Sequence, residues 1–198
     1  MHAIPTQLIV VGSVVVLAVL ALVAWLFARR RQRSRRLQQR FGSEYDRTVD
    51  ALGGRTNAES DLQAREKRVE QLTLTPLAAP EAARFSQAWS ALQGRFVDNP
   101  KGVVVQADQL VRELMLKRGY PMGDFERRAG DISVDHPTVV ASYRAAQAIA
   151  VRDERGIADT EELRQAVVHY RALFDELLEV KEVHLEAIPA KSVVVQAA

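Results

Sequence analysis

The longest apolar stretch of the chain runs from Leu8 to Phe27 and contains no charged residue. Fourteen of its twenty residues are Leu, Ile, Val or Phe. A helix of this length is about 30 Å long, which matches the hydrocarbon core of a bilayer. Trp25 lies near the end of the stretch, where an indole ring favours the membrane interface. The pattern predicts a transmembrane helix over residues 8–27.

A cleaved signal peptide is the main alternative to this span. Signal peptides have positive charges before a shorter apolar stretch and a small-residue cleavage site after it. Here residues 1–7 contain no Lys or Arg, and no A-x-A pattern ends the stretch. A buried core helix with twenty unbroken apolar residues is the second alternative. We favour the span over both.

Seven arginines follow the span, and they predict its orientation. They are Arg29, Arg30, Arg31, Arg33, Arg35, Arg36 and Arg40. Arginines this close to a span stay on the cytoplasmic side of the membrane. We therefore predict a single-pass protein of the cell (inner or cytoplasmic) membrane with its N-terminus outside. The arginine collar, residues 29–40, is expected to contact anionic lipid headgroups, and the soluble part is expected to be cytoplasmic.

Apolar residues beyond the collar recur at helical spacing, first over Leu37 to Leu52 and then over Thr56 to Leu72. Gly53-Gly54 separates these two predicted helices. Thr73 to Pro80 is predicted to be a linker, because its prolines cannot continue a helix interior. These features predict a helical stalk and a Pro-containing linker over residues 41–80, which either projects from the membrane or lies on it as a hairpin.

Residues 81–178 predict a soluble α-helical domain that is long enough to bury one hydrophobic core. Asn99-Pro100 is predicted to start a helix that Gly119 ends, and Asp159–Glu162 has the pattern of a capping box. A short helix is predicted over Asp124–Ala129. The predicted fold class is therefore all-α, with one N-terminal transmembrane helix (residues 1–28 with its tail), a helical stalk and a compact helical-bundle domain.

The residues from Gly130 to Pro137 are predicted to form a polar loop, in which Asp135 or His136 caps the following helix. Residues 179–198 lose the helical pattern and are predicted to be a loose tail.

The net charge of +2 and the pI near 9.1 come from the collar. Residues 41–198 hold 20 of the 27 basic residues and all 25 acidic ones, a net charge of −5. Outside the predicted span, the aromatic side chains near the collar that could stack on bases are Phe41 and Tyr45. We therefore expect no nucleic-acid partner. The absence of cysteine agrees with a reducing compartment.

The sequence contains no glycine-rich phosphate loop, no nucleophile elbow and no zinc or calcium motif. We expect no cofactor and no metal. The candidate catalytic residues are Asp131, Asp135, His136 and His169, because a His–carboxylate pair performs acid–base chemistry. Helix capping and core packing are the competing explanations for these four. Candidate anion-binding side chains are Arg112, Arg118, Arg144 and Arg164.

Three sequence blocks occur in order within residues 84–178: RFSQAWSALQGRFVDNPKGVVVQADQLVRELMLKRGYP, DISVDHP and TEELRQAVVHYRALFDELLE. Together they resemble an uncharacterised family of bacterial membrane-tethered helical proteins with no assigned function. The resemblance covers about half of the chain. It implies that the helical part is a module of its own, and it transfers no activity.

Two functions are expected from these features. The first is a membrane-anchored protein whose cytoplasmic helical module binds a protein partner. The alternative is a membrane-tethered hydrolase or small-ligand-binding domain that uses the Asp/His cluster. A separation of His136 and His169 above about 10 Å would exclude direct acid–base pairing. Self-association through the small face of Ala21, Ala24 and Ala28 is a further possibility, although no G-x-x-x-G is present.

Overall fold

The computed structural model describes the backbone of residues 6–178 and the side chains of residues 17 and 19–178. The described residues form eight helices and no strand, so the all-α prediction is confirmed. The helices are α1 (Thr6–Phe41), α2 (Ser43–Ala51), α3 (Arg55–Val69), α4 (Ala79–Gly94), α5 (Pro100–Arg118), α6 (Phe125–Asp135), α7 (Pro137–Glu154) and α8 (Thr160–Leu177). The predicted loose tail, residues 179–198, lies outside the described residues.

Helix α1 contains the segment predicted to span a membrane. In the part of the chain that the structure describes, no helix has both the length and the apolar character needed to cross a membrane. The side chains of residues 8–16 and 18 within the predicted span lie outside the described residues. The span therefore stays a prediction.

The main hydrophobic core surrounds α8, which packs against α7 and α5. Trp89 of α4 stacks on Phe174 of α8, with ring centroids 4.6 Å apart. Tyr143 of α7 meets Tyr170 of α8 edge to face at 6.3 Å. Phe85 and Trp89 of α4, four positions apart on one face of the helix, are therefore part of the core.

The predicted helix ends are confirmed where local side chains make them. Asn99 accepts a hydrogen bond from the backbone N–H of Gly102 at the start of α5, and the Asp159–Glu162 capping box is complete at the start of α8. Gly119 ends α5 in the left-handed conformation with φ 95°. A Cβ at Gly119 would also meet the Thr73 carbonyl oxygen at 2.6 Å, so this position requires glycine.

The prediction of a polar loop over residues 130–137 is wrong, because α6 extends to Asp135. The polar side chains of this segment form hydrogen bonds that are compatible with a continuous helix. Asp131 accepts hydrogen bonds from Arg68, and the Ser133 hydroxyl donates to the Gly130 carbonyl oxygen. His136 alone joins α6 to α7. The predicted capping role is also wrong, since no side chain caps the start of α7.

A second, smaller core joins the segment predicted as a stalk to the rest of the fold. Its buried members are Leu37, Phe41, Tyr45, Leu62, Val69 and Val134. The first helix predicted after the collar is in fact divided at Gly42, where α1 ends and α2 begins. Helices α2 and α3 contact each other, and α3 also packs on α6. The domain boundary at residue 81 stays a prediction, but the segments on its two sides pack together.

Candidate functional site

The four candidate catalytic residues each have a different surrounding. Asp131 is buried on α6, and its Oδ1 accepts hydrogen bonds from Arg68 Nε at 2.9 Å and Nη2 at 2.8 Å. Asp135 is exposed, with Oδ1 4.0 Å from Arg40 Nη2. Both carboxylates therefore face cations from the N-terminal segment, so they serve the packing of α6 against α1 and α3.

His136 pairs with an acid that the sequence did not single out. Its Nδ1 lies 3.0 Å from Glu176 Oε1 on α8. His169 is half-buried on the same helix, seven residues before Glu176, which corresponds to about 10 Å of helix rise. Among the described hydrogen bonds, none joins His136 to His169 or to the two aspartates. The structure does not bring the four residues into one acid–base constellation.

The arginines proposed for anion binding also have partners within the chain. Arg112 pairs with Asp108 at 2.9 Å, and Arg164 pairs with Glu161. Arg118 donates to the Leu177 carbonyl oxygen at 3.0 Å. Arg144 is part of the buried network described next. Each of the four arginines therefore has a partner within the chain, and that partner is buried for Arg118 and Arg144 and exposed for Arg164.

The most concentrated group of charges lies where α2, α3, α6 and α7 meet. At its centre is Glu44, whose side chain is 2% exposed. Glu44 Oε1 accepts hydrogen bonds from Arg65 Nη1 at 3.0 Å and Arg144 Nη2 at 2.8 Å, and Oε2 accepts one from Arg144 Nε at 3.1 Å. We call Glu44, Arg65 and Arg144, together with Arg47 and Glu126, the charged seam. It joins the predicted stalk to the helical domain.

The outer part of the charged seam is more accessible to solvent. Glu126 Oε2 accepts hydrogen bonds from Arg144 Nη1 at 2.7 Å and Arg47 Nη2 at 3.0 Å. Burial raises the pKa of Glu126, but the bonds and charges of the two arginines outweigh it and hold the pKa below 4.5. Because the folded-state pKa is lowered, this carboxyl stabilises the fold above its unfolded pKa, and the contribution is lost as the pH falls through the folded value.

The sequence offered one signal for the charged seam, and it concerned only Glu44. This residue stands three positions after Phe41 and seven after Leu37, on the face that the apolar stripe buries. Glu66 of α3, outside the charged seam, pairs with Arg40 of α1 at 2.9 Å.

The arginine collar has two parts with different roles. Arg40 is half-buried and pairs with Glu66 at 2.9 Å, and its Nε also donates to the Val134 carbonyl oxygen at 3.4 Å. Arg36 lies 3.9 Å from Glu66, but its side chain is 72% exposed. Arg29 lies over the Trp25 ring, 5.3 Å from its centroid. The other four collar arginines are exposed and form no ion pair with a described residue: Arg30, Arg31, Arg33 and Arg35. These four arginines form the outer part of the collar and are open to solvent, as Arg36 is.

Buried tyrosines mark a polar spot in the main core. Arg128 Nε donates to the Tyr143 hydroxyl oxygen at 3.2 Å, yet burial raises the pKa of Tyr143 more than Arg128 lowers it. Burial and the nearby charge of Asp108 likewise raise the pKa of Tyr170. Both phenols are therefore neutral at physiological pH.

Among the described residues, no group of three or more acidic, His or Cys side chains is placed to hold a metal ion.

Comparison with known proteins adds no family to this picture. No family model, no curated protein and no solved structure matches the chain. The resemblance of residues 84–178 to an uncharacterised family stays a prediction. A proposal of function therefore rests on the geometry of the chain itself.

The charged seam predicts the effect of Glu44→Gln. The amide removes the negative charge between Arg65 and Arg144, which keep only Asp61 and Glu126 as acidic partners. Breaking a buried ion network typically costs 3–5 kcal/mol, and the remaining partners place this loss at the lower end, about 3 kcal/mol. Denaturant unfolding of the full-length protein in detergent, followed by Trp89 fluorescence in a Trp25→Phe background, measures it.

The matched control is Glu161→Gln, which removes the same charge from an exposed pair with Arg164 on α8. This variant is expected to unfold almost as the parent does. Equal stability of the Glu44 and Glu161 variants would show that the charged seam does not hold the two cores together.

Proposed function

We propose that this chain is a single-pass membrane protein that holds an α-helical interaction module against the cytoplasmic face of a cell membrane. The apolar half of α1 serves as the anchor in this proposal. The outer collar arginines contact the headgroups, and helices α2 to α8 form the module that binds a protein partner.

The first support is the exposed apolar surface of α1. Leu17, Leu22 and Phe27 are 65%, 55% and 64% exposed. The other large apolar side chains that remain uncovered between these positions are Val19, Leu20, Val23, Trp25 and Leu26. Monomeric soluble proteins rarely expose a contiguous apolar surface of this kind, and lipid is an environment that covers all faces of a helix.

The observation that carries the proposal is the continuity of α1 from this apolar surface into the second core. Leu37 and Phe41 are 2% and 0% exposed, and they lie on the same helix as Phe27. Ten residues separate Phe27 from Leu37, a rise of about 15 Å. Arg40 holds this end of α1 through Glu66 and the Val134 carbonyl oxygen. An anchor joined in this way sets both the distance and the orientation of the module at the membrane.

The candidate catalytic side chains support binding rather than hydrolysis as the role of the module. Asp131 and His136 are each held in a contact within the fold, with Arg68 and Glu176 respectively. The contact of His136 with Glu176 is a His–carboxylate pair, and it is the observation among the described residues that fits the hydrolase alternative. No described hydrogen bond joins this pair to Asp131, Asp135 or His169, so we favour binding.

The membrane placement predicts where reporters fused to the two ends will be active. A reporter fused after Ala198 is expected to behave as cytoplasmic, and a cysteine introduced at His2 is expected to be labelled from outside intact cells. The chain has no native cysteine, so the introduced thiol is unique. Carbonate extraction should leave the protein in the membrane pellet. Activity of the C-terminal reporter outside the cytoplasm would contradict the orientation, and extraction by carbonate would contradict the anchor.

The binding role predicts a reproducible protein partner after crosslinking of the full-length chain in its native membrane. The matched control carries residues 1–42 fused to an unrelated soluble protein, so that both chains share the anchor and the collar. A partner captured by the full chain and not by this control is due to the module. Failure to capture any such partner, together with co-purification of a metabolite, would contradict the binding role and favour a ligand-binding domain.

A further inference from the structure

A pocket of about 390 Å³ lies between the collar part of α1 and the start of α3. Arginines from both helices line it, namely Arg30 and Arg33 from α1 and Arg55 from α3. The hydroxyl-bearing side chains of Thr56 and Ser60 complete the α3 side. No local pattern connects Arg55 with the collar, because it lies 22 residues after Arg33.

The three arginines line the same pocket, and their charges are not neutralised by ion pairs with described residues. All three are exposed, and none of them forms an ion pair with a described residue. This differs from Arg40, which is engaged with Glu66 a little further along α1. The positive N-terminal end of the α3 dipole adds to the positive electrostatic potential of the pocket. No acidic residue in the first turn of α3 offsets it.

Glu59 is the acidic side chain that lines the pocket, and its carboxylate accepts hydrogen bonds from two hydroxyl groups. Its Oε1 accepts hydrogen bonds from the Ser34 hydroxyl at 2.5 Å and the Tyr45 hydroxyl at 3.0 Å. Three arginines and one carboxylate give the lining a net charge of +2. A ligand that fits this lining carries negative charge and several acceptor oxygens.

The position of the pocket along α1 identifies the source of such a ligand. Arg30 and Arg33 follow Phe27 by three and six residues, a rise of about 5 and 9 Å beyond the apolar segment. The headgroup layer on each side of a bilayer is about 5–8 Å thick. The pocket therefore lies at the depth of the lipid phosphates when the apolar segment is in the membrane.

We propose that the pocket between α1 and α3 binds the phosphate of an anionic phospholipid, with a phosphomonoester headgroup as the best fit. Guanidinium groups donate paired hydrogen bonds to phosphate oxygens, and the Thr56 and Ser60 hydroxyls are additional donors. The volume is in the range of small-ligand sites. This assignment rests on the membrane placement proposed above, and it adds a defined headgroup site to the general attraction of the collar.

A diffuse attraction of the collar to anionic lipid makes a different prediction from a pocket. Under diffuse attraction, every collar arginine counts equally and Arg55, which lies outside the collar, counts little. Under the pocket assignment, Arg33 and Arg55 matter and Arg31 does not. The matched control is therefore Arg31→Gln, which removes the same charge from an exposed collar position outside the pocket.

The test uses the full-length protein in neutral detergent micelles, titrated with phosphatidic acid and analysed by native mass spectrometry for bound lipid. Arg33→Gln and Arg55→Gln are each expected to weaken phosphatidic acid binding roughly fivefold to tenfold, and Arg31→Gln less than twofold. Circular dichroism should show unchanged thermal unfolding, because neither Arg33 nor Arg55 has an ion-pair partner among the described residues. Equal effects of Arg31→Gln and Arg33→Gln, or no effect of Arg55→Gln, would overturn the pocket.

A second arm separates lipid from a soluble phosphate ligand. Inorganic phosphate and glycerol 3-phosphate are added as competitors, and they are expected to displace phosphatidic acid only at much higher concentration. Displacement at concentrations equal to that of the lipid would overturn the lipid source and assign the pocket to a soluble phosphate compound. Binding in micelles does not require the span to cross a bilayer, so the carbonate extraction and reporter tests of the anchor can fail or succeed independently.

Discussion

The burial of the Glu44 carboxylate between Arg65 and Arg144 is the interaction on which the arrangement of the chain depends. One carboxylate on α2 receives hydrogen bonds from α3 and α7, and Arg144 extends the connection to Glu126 on α6. Removing such charges from water costs about as much as their attraction returns, so the network adds little net stability. We propose that its effect is on geometry, because it pairs charges that come from α2, α3, α6 and α7.

This arrangement of α2, α3, α6 and α7 determines the direction in which α1 leaves the fold. Phe41 and Tyr45 pack into the second core with Leu62 and Val69 of α3 and Val134 of α6. Because Phe41 is buried, α1 leaves the fold in one direction, and each collar arginine lies on a defined face of α1. Arg40 faces the protein and binds Glu66, whereas Arg30 and Arg33 face the pocket beside α3. Arg40 thus makes the collar part of the fold, and Arg30 and Arg33 are the side chains for which we propose anion binding.

The sequence predicted the features that depend on neighbours along the chain. The apolar stripes, the Asn99 cap and the Asp159–Glu162 capping box are set by residues within one or two turns of each other, and all three are confirmed. The charged contacts join residues that are far apart, 63 positions for Arg68 with Asp131 and 100 for Arg144 with Glu44. Such pairs have no local signal. For the same reason residues 130–135 were predicted to be a loop, since their partners on α3 are not apparent from the local sequence.

The central claim is that the apolar part of α1 and the module are rigidly joined by one continuous helix. The most direct measurement is a spin-label distance between cysteines introduced at Leu26 and at Asn57, an exposed residue of α3, in the otherwise cysteine-free protein in a bilayer. Double electron–electron resonance is expected to give a single narrow distance distribution. A broad or bimodal distribution would show a hinge between the apolar part of α1 and helices α2 to α8, and it would contradict a rigid connection.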